Sequence, residues 1–284
     1  MTEAPFNALS VDVEEHFHVS AFQEAIAADD WPAMESRVAA NTGRLLEIFD
    51  RYNAKATFFV LGWVAERQPG LVQEIVASGH ELACHGYSHQ LVYRQSRDVF
   101  RAETFRSKAM LEDIGQVAVR GYRAASYSIT RESEWALDVL IEAGFSYDSS
   151  IFPVRHDLYG IPDAELAPHR IARPGGTLVE FPLATKSLLG SRIPVSGGGY
   201  FRLFPYAFTR WALQDVNRTG QRPFVFYLHP WEIDPDQPRI RAGWRSRFRH
   251  YQNLHRSQAR LERLLQDFRF GTVQSVLGEL GFTM

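Results

Sequence analysis

Short apolar runs alternate along this chain with stretches whose apolar residues recur every three or four positions. Phe6 to Val13 reads as a buried strand. From about Met34 to Tyr52, Val38, Leu45, Leu46, Ile48 and Phe49 fall at helical spacing. Ala56 to Leu61 is continuously apolar, like a strand covered on both faces of a parallel sheet. A helix from Pro69 to Ser78, closed by Gly79, leads into a strand that ends near Cys84. A long helix is expected from about Ser96 to Ile114, a strand from Val117 to Tyr122, and a helix from Glu132 to Ala143 stopped by Gly144. Strand and helix in strict alternation predict a parallel α/β sheet or barrel.

The second half is less regular. Tyr147 to Pro153 closes a strand, the stretch to Pro174 is loop-rich, and Thr177 to Phe181 reads as another strand. Gly197, Gly198 and Gly199 invite a phosphate loop, but no Gly-Lys-Ser/Thr follows, so mobile or closely packed backbone lining a groove is expected. A helix from Tyr206 to Asn217 precedes the apolar strand Pro223 to His229, and a final amphipathic helix spans Ser257 to Phe268. Arg239, Arg241, Arg245, Arg247, Arg249 and Arg256 read as an exposed loop tied by surface ion pairs, with a grip on an anionic polymer or phosphate as the alternative.

In α/β sheets and barrels the chemistry collects beyond the carboxyl ends of the strands. Asp12, His85 and Arg123 fall there, and His229 falls on the same rim. His85 and His89 are spaced so that a helix or tight turn would bring both imidazoles to one side of a cation, with Gly86 letting the backbone bend between them; a solvated pair is the alternative. Two histidines make an incomplete site, so a carboxylate must come from elsewhere. The end of the first strand offers Asp12, Glu14 and Glu15. Strand alternation turns Asp12 and Glu14 one way and Val13 and Glu15 the other, unless a bulge reverses the last two.

Composition narrows the class further. The 284 residues suffice for one large domain, and 45% hydrophobic with 23% charged residues is ordinary for a globular protein. A net charge of -2 does not favour nucleic acid as a general partner. The single cysteine, Cys84, excludes an internal disulfide and alternates away from His85, so it is expected to pack. Neither a signal peptide nor a membrane-spanning run is visible, and the expected location is cytoplasmic, with peripheral membrane association open to it.

Five motifs occur in order: Ser10-Val11-Asp12-Val13-Glu14-Glu15, His85-Gly86-Tyr87-Ser88-His89, Arg120-Gly121-Tyr122-Arg123-Ala124-Ala125-Ser126-Tyr127-Ser128, Tyr147-Asp148-Ser149-Ser150 and Leu228-His229-Pro230-Trp231-Glu232. With them the chain resembles the NodB-homology polysaccharide deacetylases, of carbohydrate esterase family four type. It is similar in particular to the exosortase- and exopolysaccharide-associated subgroup, whose C-terminal extension the segment through Arg247-Phe248-Arg249-His250-Tyr251 resembles. The resemblance implies an irregular (β/α)7-type barrel over about 6–235, with an extension over about 236–284 packed on it as part of one catalytic domain.

It also implies roles. Asp12 would be the general base, Arg123 would orient it, and His229 would be the general acid. Glu14, His85 and His89 would hold a divalent metal, zinc first, with cobalt, nickel or manganese as substitutes. Ser126, Tyr127, Tyr147 and Trp231 would contact substrate, with the backbone around Ser126 and Tyr127 facing the developing oxyanion. Two departures stand out: Val13 separates Asp12 from the acid ligand where the family commonly has adjacent aspartates, and Ala125 replaces a usual proline. The implied reaction is metal-dependent removal of N-acetyl groups from N-acetylhexosamine units of a bacterial exopolysaccharide or its lipid-linked precursor, with exopolysaccharide assembly machinery as a partner at the membrane. A cyclic ureide or imide hydrolase of the same fold and a non-catalytic carbohydrate-binding relative are the alternatives.

Overall fold

The computed structural model describes residues 6–283. Its strands, taken along the chain, are β1 (Phe6–Val13), β2 (Thr57–Val60), β3 (Glu81–Cys84), β4 (Gly121–Tyr122), β5 (Tyr147–Asp148), β6 (His169–Arg173) and β7 (Gly176–Glu180). A separate hairpin, β8 (Thr185–Leu188) and β9 (Ser191–Pro194), intervenes before β10 (Val225–Leu228) and β11 (Arg269–Gly271). The main sheet runs in the order β10-β1-β2-β3-β4-β5-β7-β6, parallel except for the antiparallel β6–β7 pair. Ala8 pairs with Val225 of β10 and with Gly271 of β11, so the two flank β1 on opposite sides.

Between β5 and β10 the ring continues outside regular strands. Leu183 N–H donates to Ile151 O, Val195 N–H to Ala184 O, and Tyr227 N–H to Ser196 O. The sheet therefore curls on itself through irregular backbone. At the last step Gly197 has φ +136°, and a Cβ there would lie 1.9 Å from Tyr227 O, so only glycine lets the two backbones touch. The glycine triplet is thus closely packed. Its second member begins a helix.

Period-two alternation sorts the strand side chains into two cores. Leu9, Val11, Val13, Phe58, Val60 and Leu82 face outward, under α1 (Val38–Arg51), α2 (Gly62–Arg67), α3 (Pro69–Ala77), α4 (Arg97–Gly115) and α5 (Trp135–Glu142). Ala8, Phe59, Ala83, Tyr147, Phe181 and Val225 fill the inside. The second half adds α6 (Gly198–Leu203), α7 (Tyr206–Arg218), α8 (Trp244–Tyr251), α9 (Leu254–Asp267) and α10 (Val273–Glu279). The arginine-rich segment, expected to be a loop held by ion pairs, contains α8, and none of Arg239, Arg241, Arg245, Arg247 or Arg249 pairs with a carboxylate among the described residues. No helix there is long and apolar enough to cross a membrane.

Candidate active site

Alternation along β1 aims Ser10 and Asp12 into the ring, and the chain keeps that sense through Glu14, all three side chains buried. Glu15 turns the other way. Its carboxylate accepts the backbone N–H groups of Arg37 and Val38 and the Ser36 hydroxyl, at the start of α1. Those N–H groups have no partner inside the helix, so Glu15 caps it and is occupied.

Glu14 lies instead beside the histidines. One ligand atom from each of Glu14, His85 and His89 can be chosen so that all lie within 4.8 Å of one another, and all three residues are buried. The histidines are on a loop rather than a helix: Gly86 has φ +75° and His89 φ +52°. This left-handed kink turns the second ring back toward the first, and their centroids are 5.3 Å apart. His85 Nδ1 lies 2.8 Å from Arg123 O, so it donates there and leaves Nε2 as the free electron pair. Burial, the largest influence, lowers the His85 pKa to about 4, which keeps the ring neutral. Burial would raise Glu14, but His89, then His229 and His85, hold it well below the usual carboxylate range.

The donor set fits a cation. Glu14 Oε2 is buried without a hydrogen-bond donor although His89 Nε2 is 2.7 Å away, and His89 Nδ1 is likewise unsatisfied. Buried polar atoms without partners are costly, and two imidazoles with one carboxylate are a common donor set for a divalent transition metal with a position left open.

Around this cluster the other groups are held firmly. Arg123, fully buried, donates from Nη1 to Asp12 Oδ1 and to Ser10 Oγ, both at 2.7 Å, and binds Ser149 through Nε and Nη2. His229 Nε2 is 3.9 Å from Asp12 Oδ2 and 3.6 Å from Glu14 Oε1. Its Nδ1 lies 2.8 Å from Glu232 Oε1, and Glu232 Oε2 accepts from Arg202 Nε at 2.6 Å. Burial would lower the His229 pKa, but Glu232, Glu14 and Asp12 raise it to about 9.

The expected substrate contacts divide. Ser126 and Tyr127 line the cleft, both with left-handed backbone (φ +50° and +54°), and the Tyr127 hydroxyl is 3.4 Å from Asp12 Oδ2. Trp231 also reaches the cleft, but its indole N–H donates to Glu14 Oε1 at 3.2 Å and its ring is stacked between His229 and His250. Tyr147 does not reach it. It is fully buried, its hydroxyl donating to Glu81 at 2.8 Å, because β5 turns it into the inner core. Glu232 and Arg202 were given no role from sequence; Glu232 stands three residues after His229, but nothing local marks Arg202 as its partner. The cleft, about 410 Å³, is walled on its far side by Tyr159, Tyr200, Leu203, Arg249 and Gln252. Cys84 is buried on the outer face and its thiol is pushed up to about 12, an inert packing residue.

Comparison with known proteins places this arrangement in a class. Residues 24–147 match the family described as Polysaccharide deacetylase, and residues 149–278 match a Domain of unknown function (DUF3473). The first half of the chain is thus similar to polysaccharide deacetylase domains, and the second half to that further domain. It is 27% identical over 137 residues to a peptidoglycan-N-acetylglucosamine deacetylase of Bacillus cereus, covering 44% of this chain and 48% of the relative. It is 31% identical over 149 residues to a chitooligosaccharide deacetylase of Rhizobium leguminosarum bv. trifolii, covering 49% of this chain and 63% of that one. In both cases the chain spans less than two thirds of the relative. In three dimensions it is similar to a putative polysaccharide deacetylase from Mycobacterium smegmatis, with a TM-score of 0.63 and 21% identity over 99% of this chain and 92% of the other, a likeness of fold.

Proposed function

We propose that this cleft hydrolyses the N-acetyl group of N-acetylhexosamine units in an exopolysaccharide or its lipid-linked precursor, with a divalent metal, zinc first, held by Glu14, His85 and His89. The observation that carries the reading is the convergence of an Arg123-anchored carboxylate and the His229 imidazole on the buried two-histidine, one-carboxylate cluster. The activities of the two relatives, a peptidoglycan-N-acetylglucosamine deacetylase and a chitooligosaccharide deacetylase, support the substrate class.

A cation in that cluster would polarise the acetyl carbonyl and lower the pKa of a water. Asp12, with Oδ1 fixed by Arg123, offers Oδ2 to take a proton from that water. Attack forms the new C–O bond, and the C–N bond then breaks as His229 Nε2 gives its proton to the departing amine. The products are acetate and a free hexosamine amine. The Tyr127 N–H is bonded to Ala124 O, which leaves the neighbouring Ser126 N–H as the backbone donor for the developing oxyanion. Tyr127 packs over Asp12 and limits its exposure to bulk water.

The test is acetate release from N-acetylglucosamine oligomers, against ring opening of allantoin or a cyclic imide, before and after chelation and zinc restoration. Zinc-dependent acetate release is expected, with Asp12→Asn binding zinc normally and losing most of its turnover. Ring opening without acetate release, or an Asp12→Asn variant as fast as wild type, would overturn the reading.

A further inference from the structure

From Gln237 to Leu261 the chain contains seven arginines (Arg239, Arg241, Arg245, Arg247, Arg249, Arg256 and Arg260) and not one aspartate or glutamate. Elsewhere on the surface, Arg101, Arg106 and Arg131 each reach a carboxylate. The first five of the seven do not; Arg239 rests on the Tyr251 ring and Arg245 beside Trp244. An uncompensated cationic field is therefore centred on α8, and it calls for an anionic partner.

The helix that carries this field is inverted relative to a core helix. Only His250 is buried, whereas Trp244 is 74% and Phe248 57% exposed. At roughly 100° per residue, Trp244 and Phe248 lie one turn apart on one ridge, with Arg247 along one flank and Arg245 along the other, while Tyr251 closes the helix half-buried against Phe22. Ser246 and His250 take the opposite side, toward the protein. The segment is pinned from behind: Arg202 Nη1 donates to His250 O at 2.6 Å and to Gln252 O at 3.2 Å, so the ridge is held outward.

We propose that α8 docks this protein on an anionic phospholipid surface, with Trp244 and Phe248 entering the headgroup boundary and the flanking arginines meeting lipid phosphates. Rings projecting one helical turn apart between guanidinium groups suit a soft interface that they can penetrate. The last turn of α8 also reaches the catalytic cleft, since Arg249 and His250 line it. Docking would therefore set the cleft mouth close to the headgroups, where a saccharide on a lipid carrier is held. That consequence rests on the deacetylase reading; the docking does not.

Co-sedimentation with phosphatidylcholine vesicles, with and without phosphatidylglycerol, tests it, read beside acetate release from a soluble N-acetylglucosamine oligomer. Wild type should bind the anionic vesicles about tenfold or more tightly than the neutral ones, with the preference fading in high salt. Arg245→Glu with Arg247→Glu should remove that preference, and Trp244→Ser with Phe248→Ser should weaken binding to both; each should keep the wild-type melting temperature and soluble activity. Equal binding to both vesicle types, or undiminished binding by both double variants, would overturn the proposal. So would ridge-dependent binding of soluble alginate with vesicles left untouched, which would assign the ridge to an acidic polysaccharide. Vesicle binding intact with no acetate release would leave α8 as assigned and sink the deacetylase reading alone.

Discussion

Replacing Glu232 by glutamine tests the proposal that His229 is the general acid. In the folded protein His229 Nδ1 is 2.8 Å from Glu232 Oε1, and this carboxylate is the largest of the influences raising the imidazole to about 9 against the lowering effect of burial. A hydrogen bond to a charged group contributes about 1.5–3 kcal/mol, equivalent to roughly one to two pH units. The sign follows from the role: the acid works protonated, so activity falls as pH rises through its pKa. Loss of the carboxylate lowers that pKa and moves the alkaline limb of the kcat/KM profile down by the same one to two units. At pH 8 the variant should be roughly two- to tenfold slower, while near pH 6 it should approach wild type. Glu232→Gln also deprives Arg202 of its carboxylate, so the melting temperature must be followed, and Glu232→Asp should restore part of the shift. A Glu232→Gln profile with the wild-type alkaline limb, from folded protein, would refute the assignment of His229 as the acid.

Glu15→Gln should lower stability by about 1–2 kcal/mol through loss of the α1 cap yet keep zinc affinity, whereas Glu14→Gln should lose zinc; calorimetric titration that reverses the two would move the ligand to Glu15. Asp148 and Glu180 form a fully buried carboxyl pair; burial raises Asp148 to about 6, and burial together with Asp148 raises Glu180 further above its usual range. Folded-state pKa values raised in this way contribute stability that is complete below about pH 4 and is lost as pH rises through about 6. Glu180→Gln should therefore flatten the fall in melting temperature between pH 5 and pH 8, and an unchanged slope would contradict the pairing. Tyr147→Phe should cost about 1 kcal/mol of stability from the lost bond to Glu81 without changing KM for an oligosaccharide, and a severalfold KM increase would return Tyr147 to the substrate.

What the sequence made legible follows from where the information lies. The strands around β1 and β2 are apolar on both faces, so alternation alone puts Asp12 and Glu14 on one side, and the fold shows that side to be the inner one. β4 and β5 are only two residues long, because the backbone leaves the ladder early to carry Arg123 and Ser149 into the site. The β8–β9 hairpin shows little burial periodicity and was not foreseen. α8 is illegible for a sharper reason: Trp244 and Phe248 face outward, so no apolar stripe marks a core-facing side. The spacing of His85 and His89 was informative, but the device that makes it work is a left-handed residue at His89 rather than helical geometry. Trp231 is expected among the substrate contacts and lines the cleft, and only the fold shows its N–H on Glu14.

Arg202 shows why the second half of the chain belongs to the chemistry. A buried carboxylate next to a histidine can resolve its desolvation cost by taking up a proton, in which case it no longer holds the imidazole charged. Glu232 escapes that outcome: although burial is the largest influence and raises it, Arg202 and His229 bring it below the usual range. Arg202 in turn is almost fully buried, and a guanidinium there needs acceptors beyond one carboxylate. It finds them in the carbonyls of His250 and Gln252, at the end of α8, while its own carbonyl accepts from Asn253 and Arg260. The sequence of charges His229, Glu232, Arg202 is thus closed by backbone that lies far along the chain from the histidine motif. The extension supplies a wall of the cleft, and it also supplies the hydrogen bonds to Arg202 that favour an ionised Glu232 beside His229, the proton donor we propose.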